Sequence, residues 1–413
     1  MSTKGKFVGV LLAAAAFLLW VVLPVASEHW SVGIAAERQI PLYLGENLGP
    51  AILSPDGSRL LVGRRQKAVP GWVEAAFSFQ NYDSKTMALL STASMPNLPV
   101  ATPEFGDPPS ANPATLTYCD HGKYVLALLG GETFGVLDGD TLQLRSRIAF
   151  PADKQHPYKS AILSGSCAAN ASYAAFELAG PQRLGVTRVF DLSDGSHIAE
   201  IPEDLSRGRL MNLAMSPSGT AAAVLVGNKV HPDSPPPAGF DLLILDLQTQ
   251  RVERWIQTGM AAKQAVFVGD SAVAVVSDYR ALDADRSKVR LFDIQTGKMV
   301  REFGARGMVT GPPIAASADG TRLLSYTGEE SNNEHGRQIK IARFTVWDTG
   351  TGRIVAQSAA LPILKTAVSS YMFGGLMPWS PTQSWSPEIQ LNQAGNAAIV
   401  TQESEPIRFF SFK

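Results

Sequence analysis

Clustered positive charge is missing from this chain. Its 413 residues carry 36 Lys and Arg against 37 Asp and Glu, and no Lys/Arg run breaks that balance. A general nucleic-acid binder needs clustered cations to displace counterions from phosphate, so that class is excluded. Several enzyme motifs are also absent: C-x-x-C-H for covalent haem, H-E-x-x-H, G-x-S-x-G and any glycine-rich phosphate loop. Histidine is sparse, with His29, His121, His156, His197, His231 and His335 scattered and no pair at metal-ligand spacing. Triads assemble from distant residues, so a missing motif does not exclude catalysis, and His156, in a connection between repeats on the loop-rich side, is the histidine to inspect first. No catalytic residue, metal ligand or cofactor is assigned. After residue 27 no segment of useful length has helical periodicity.

What is there is a repeat. The stretch Val289–Phe303 (VRLFDIQTGKMVREF) reads as a strand, a tight turn and a second strand. Gly297 can supply the positive φ of the turn, and Asp293 and Thr296 can bond its backbone. Five relatives align their aspartates with Asp293: Asp83, Asp138, Asp191, Asp246 and Asp348, at spacings of 47 to 55 residues. Such a period denotes a solenoid or propeller.

A second unit precedes each hairpin: an apolar strand, a small polar turn and another apolar strand. It occurs seven times, from AILSPDGSRLLVG to IQLNQAGNAAIVTQ. Alternation and β-branching argue for strands, while Asp-Gly, His-Gly, Ser-Gly and Gly-Asn mark the turns. The last copy runs into PIRFFSF and lacks a fourth strand. The segment Arg38–Gly45 is expected to supply it, closing the ring and removing exposed sheet edges. The fold expected is all-β: a single seven-bladed β-propeller over residues 28–413 with four-stranded antiparallel blades. About 55 residues per blade exceeds the usual ~40–45 and leaves room for longer loops.

SPDGSRLLVG, ADGTRLLSY, VRLFDIQTGKMV and FTVWDTGTGRIV resemble WD40-like and YVTN-type propeller repeats. Only Trp347-Asp348 reproduces the WD dipeptide, and no upstream Gly-His pair occurs, so the looser bacterial group is the better match. That group is similar to the propeller subunits of quinoprotein amine dehydrogenases.

Residues 1–27 read as a targeting segment. Lys4 and Lys6 precede an uncharged run, residues 7–25, and Val25 and Ser27 fit cleavage after Ser27. The run is also just long enough to span a bilayer. Two outcomes stand, a cleaved signal peptide or a retained membrane anchor, and both place the bulk of the chain on the periplasmic or extracellular side. No cysteine lies near the junction, which excludes a lipoprotein anchor. Cys119 and Cys167 remain, each ahead of the same kind of turn in adjacent repeats. In an oxidising compartment the pair can be bridged; two buried thiols are the alternative.

Loop lengths carry the functional signal. With each blade's strands labelled a to d, the a–b and c–d turns share one face and are short. The long segments, 64–71, 91–113, 228–239, 277–288, 328–338 and 361–387, fall on the other. Within 361–387, Tyr371, Met372, Phe373, Met377, Trp379 and Trp385 form the candidate partner-binding cluster, since aromatics and Met are enriched where partners dock. Anchoring of the loop on the blade rims is the plainer reading. The carboxylates of 277–288 and 328–338 lack the spacing of a calcium loop. The function expected is an exported, non-catalytic propeller that binds a protein partner or complex through its long-loop face. The alternatives are a sugar- or small-ligand-binding propeller, or the large subunit of a quinoprotein-type dehydrogenase.

Overall fold

The protein is described from a computed structural model, which covers residues 31–43, 48–65, 74–99, 116–130, 133–150, 162–179, 185–203, 208–228, 240–260, 262–277, 288–304, 308–333, 336–359, 361, 388–401 and 406–413. The candidate cluster Tyr371, Met372, Phe373, Met377, Trp379 and Trp385 lies outside these residues, as do residues 1–30 and His29, His156, His231 and His335.

Seven four-stranded antiparallel sheets make up the chain, each in the order a-b-c-d. The a strands are Leu48–Leu53, Leu116–Cys119, Ile162–Cys167, Gly208–Met215, Ala262–Val268, Met308–Ala316 and Glu388–Leu391, and they neighbour one another around a closed ring. The chain is a seven-bladed β-propeller. Blade seven draws its outer strand from the other end of the chain: Ile34–Tyr43 pairs antiparallel with Pro406–Phe412. The expected closing strand is therefore present, starting four residues earlier than Arg38. Arg408 clamps the seam through a two-pronged ion pair with Glu37.

Strand periodicity explains the core. Successive side chains of a strand point to opposite faces, and a blade's central strands are covered on both. In strand b of blade four, Ala222, Val224 and Val226 pack toward blade three, while Ala221, Ala223 and Leu225 pack toward blade five. Hence the run AAAVLV is apolar throughout instead of alternating. Among the described residues seven such clusters recur, one per blade interface. Between blades two and three the filling is aromatic, with Phe134, Phe150, Phe176 and Phe190 meeting mostly edge to face.

Two segments expected as loops continue the sheets. In blade six, strands b (Arg322–Asn333) and c (Gly336–Asp348) pair from Arg322↔Asp348 out to Asn333↔Gly336. The polar run GEESNN is therefore a strand arm, paired with the alternating GRQIKIA. Its composition concealed its pairing. In blade one, strand d runs over Leu89–Pro99 despite Pro96 and Pro99, because an outermost strand leaves one row of N–H groups without a ladder partner.

Candidate functional site

The two ends of the barrel of blades differ. At one end every a–b and c–d connection is a tight turn. In the c–d turns, the Oδ1 of Asp83, Asp138, Asp293 and Asp348 accepts both the backbone N–H and the hydroxyl of the Thr three residues on. Asp246 Oδ1 accepts the N–H groups of Gln248 and Thr249. Hydrogen bonds from these threonines hold Asp83, Asp138, Asp293 and Asp348 below the usual carboxylate range, and Arg145 adds to the effect at Asp138. The Oδ1 atoms are thus spent on turn backbone and threonine hydroxyls, a structural use of ionised carboxylates.

The a–b turns follow the same logic with a different opening residue. Ser54 and Ser317 hand their hydroxyls to Asp56 and Asp319, and accept the N–H of Arg59 and Arg322. Ser216 and Asn392 receive the Ala221 and Ala397 N–H in the equivalent place. Because strand a is innermost, these turns crowd around the channel and bond to one another. Asn170 donates to Pro217, Ser218 to Asp270, Ala318 to Gln393 and Ala394 to Pro55. Asp120 and His121 donate to Ala168 and Ala169. Gly320 lies so close to Gly269 that a Cβ would meet its backbone nitrogen at 2.7 Å. The turn end of the channel is therefore a collar of hydrogen-bonded turns.

Cys119 and Cys167 are joined as a disulfide, Cα to Cα 5.8 Å, between the turn-end termini of the a strands of blades two and three. Side chains within the a strands add further ties. Ser166 accepts the Met215 N–H, Asn212 accepts that of Ala265, and Gln264 both donates to and accepts from the Ile314 backbone. Asn212 and Gln264 each stand just past a register shift, where a bulge interrupts the regular ladder of the strand. These ties escaped the reading of the sequence. The available signal was an Asn or Gln at matching places, followed in each strand by an apolar run.

The other end carries the b–c and d–a connections. Segment 362–387 leaves from Leu361, which is buried between blades six and seven, and returns at Glu388 into an a strand beside the channel. Both ends of the candidate loop are thus fixed on this face, though Tyr371 to Trp385 themselves are outside the described residues. Among the described residues no three His, Cys, Asp or Glu side chains converge as a metal site. His121 sits in the left-handed region of a turn, and the His197 ring meets Phe190 at a tilt, centroids 5.3 Å apart.

No protein-family model matches the chain, and no curated protein matches it. Among solved structures it is similar to the β-propeller domain of Cps50 (Swd1) from Myceliophteria thermophila, with 13% identity, a TM-score of 0.55, and coverage of 92% of this chain and 100% of that one. At that identity the likeness shows the fold alone.

Proposed function

We propose that the chain is an exported, non-catalytic β-propeller that acts as a protein-interaction scaffold through its loop-bearing face. The observation that carries this reading is the contrast between the two ends. One end is a collar of short turns whose polar groups are spent on one another. The other receives the longer connections, including the aromatic segment Tyr371–Trp385 between Leu361 and Glu388. A rigid scaffold presenting variable loops on one side is the usual arrangement for partner binding. The Cys119–Cys167 bridge supports an oxidising compartment, and with it the reading of residues 1–27 as an export segment.

Within the propellers, the looser YVTN-type bacterial group is the assignment we favour. Trp347 donates its indole N–H to Ser325 at 2.8 Å in blade six. The corresponding positions before the other turn aspartates are Tyr82, Leu137, Phe190, Leu245 and Phe292, so no other blade repeats that Trp.

The test is affinity capture from membrane extracts with the full chain and with a variant lacking residues 371–385. Recovery of a stoichiometric partner by the full chain and its loss from a folded deletion variant is the expected result. Equal recovery by both overturns the assignment of the aromatic segment. A quinone or haem absorption in the captured material overturns the scaffold reading in favour of a redox subunit.

A further inference from the structure

The outer strands carry an asymmetry that the repeat does not require. Counting on from each turn aspartate, the sixth and seventh residues lie at the start of strand d. In blades five, six and one these are Met299-Val300, Ile354-Val355 and Leu89-Leu90. In blades two, three and four they are Leu144-Arg145, His197-Ile198 and Val252-Glu253, so each pair there contains a charged residue or a histidine. Met299, Val300, Leu89 and Leu90 are all more than half exposed, and Ile354 is 40% exposed. Ile198 and Trp255, on the outer strands of blades three and four, are 44% exposed but stand singly, whereas adjacent apolar pairs at this position occur in blades five, six and one.

The arc is continuous because blade seven lies between blades six and one. The blade-six turn rests on blade five, where Gly352 approaches Arg301. Gly33 seats against the carbonyl of Val355, and Arg38 of blade seven donates to the carbonyl of Lys85 in the blade-one turn. Exposed Lys298, Arg353 and Lys413 fringe this edge. Its acids are already engaged: Asp293 by Thr296, Asp348 by Thr351 and Arg322, Glu302 by Lys288 and Arg290, and Glu37 by Arg408. Apolar side chains fringed by cations, with Asp348, Glu302 and Glu37 held in ion pairs, suit the boundary of an anionic bilayer.

The chain joins the propeller in the middle of this arc. Val32, 51% exposed, exchanges two hydrogen bonds with Gln357 of blade six, at 3.0 and 2.8 Å. Ile34 then opens the outer strand of blade seven opposite Phe412, at the turn end. Only six residues lie between Val25, where the apolar run of the sequence ends, and Val32, a reach of at most roughly 25 Å.

We infer that the turn-face edge of blades five, six, seven and one rests on a lipid bilayer, holding the loop-bearing face clear of it. The inference rests on the anchored reading of residues 7–25 and gives that anchor a geometric consequence. Attachment at the turn end and rim directs the binding loops away from the membrane.

The test places single cysteines at Leu90, Val300 and Ile354, with Arg145→Cys and Glu253→Cys as references, in the full chain reconstituted into phosphatidylethanolamine–phosphatidylglycerol vesicles. The native pair is disulfide-bonded, so a nitrobenzoxadiazole thiol label reports only the introduced site. Expected are a blue-shifted emission and severalfold stronger quenching by headgroup-level spin-labelled lipid at the first three sites, with solvent-like emission at the two references. Solvent-like emission at all five sites in a chain that resists alkaline carbonate extraction overturns the inference while the anchor stands. Extraction of the full chain by carbonate overturns the anchor and the inference together. A blue shift at the three sites in lipid-free protein identifies a second copy of the chain as the occupant and overturns the bilayer as partner.

Discussion

Asn392 donates its amide to the carbonyl of Pro55 at 3.0 Å, although 337 positions separate the two residues. The same carbonyl also accepts the Ala394 N–H, and Asn392 Oδ1 accepts from Asn396 and Ala397. One buried amide thus organises the blade-seven turn and ties it to blade one. Asn392→Ala removes these bonds and leaves the buried Ala397 N–H unpaired, at about 1–3 kcal/mol. The expected outcome is a lower midpoint in urea unfolding with the circular dichroism of the native state retained. An unchanged midpoint would show that the outer seam of Ile34–Tyr43 with Pro406–Phe412 closes the ring alone.

The disulfide spans 48 residues and joins blades two and three at the channel. A cross-link of that separation restricts the unfolded chain by roughly 3–5 kcal/mol on the loop-entropy account. Cys119→Ala with Cys167→Ala should therefore lower stability by up to that amount. Reductant should lower the wild type to match and leave the double variant unmoved. Parallel responses of the two proteins to reductant, followed by thermal unfolding, would remove the bridge from the stability of the fold.

Much of this architecture was legible because each blade repeats its chemistry. Asp293, Thr296 and Gly297 announce one turn, and the aspartate recurs at a period that only a ring or solenoid explains. The unpaired PIRFFSF strand likewise pointed to a partner near the other end of the chain. Other features were hidden for physical reasons. GEESNN reads as a loop by composition, since nothing local reveals its ladder with residues 336–342. The collar of a–b turns consists largely of backbone bonds, which any residue can make. Asn212 and Gln264 show how a single polar side chain inside an apolar strand acquires meaning only from the neighbouring blade. The candidate loop was found by length and aromatic content, and its two ends are the part that the fold fixes.

The c–d turns place their fifth residue in the left-handed region: Gly195, Gly297 and Gly352, but also Met87, Leu142 and Gln250. An L side chain at such a φ costs about 1–2 kcal/mol relative to glycine. Leu142 is fully buried and its packing offsets the strain, whereas Gln250 is exposed and has no such compensation. Gln250→Gly should raise thermal stability by about 0.5–1 kcal/mol, the loss of backbone freedom on folding taking back part of the gain. Gly297→Ala should shift it in the opposite direction, with Cβ also meeting Arg254 at 3.2 Å. Differential scanning calorimetry of both variants checks the sign, and a destabilised Gln250→Gly would refute the strain argument.

The same turns set the acid limb of stability. The carboxyls of Asp83, Asp138, Asp293 and Asp348 are held below their usual range, mainly by bonds from Thr86, Thr141, Thr296 and Thr351. A carboxyl whose folded pKa is depressed contributes stability that is complete above its unfolded value, about 3.9, and is lost as pH falls through the folded value. The unfolding midpoint should therefore hold from neutrality to about pH 5 and decline below about pH 4 as the turns take up protons. Asp138→Asn keeps an acceptor for Thr141 but removes the charge that faces Arg145. It should start less stable at pH 7 and lose less on acidification, so the two curves converge toward low pH. Parallel curves would assign the acid sensitivity to groups outside this turn.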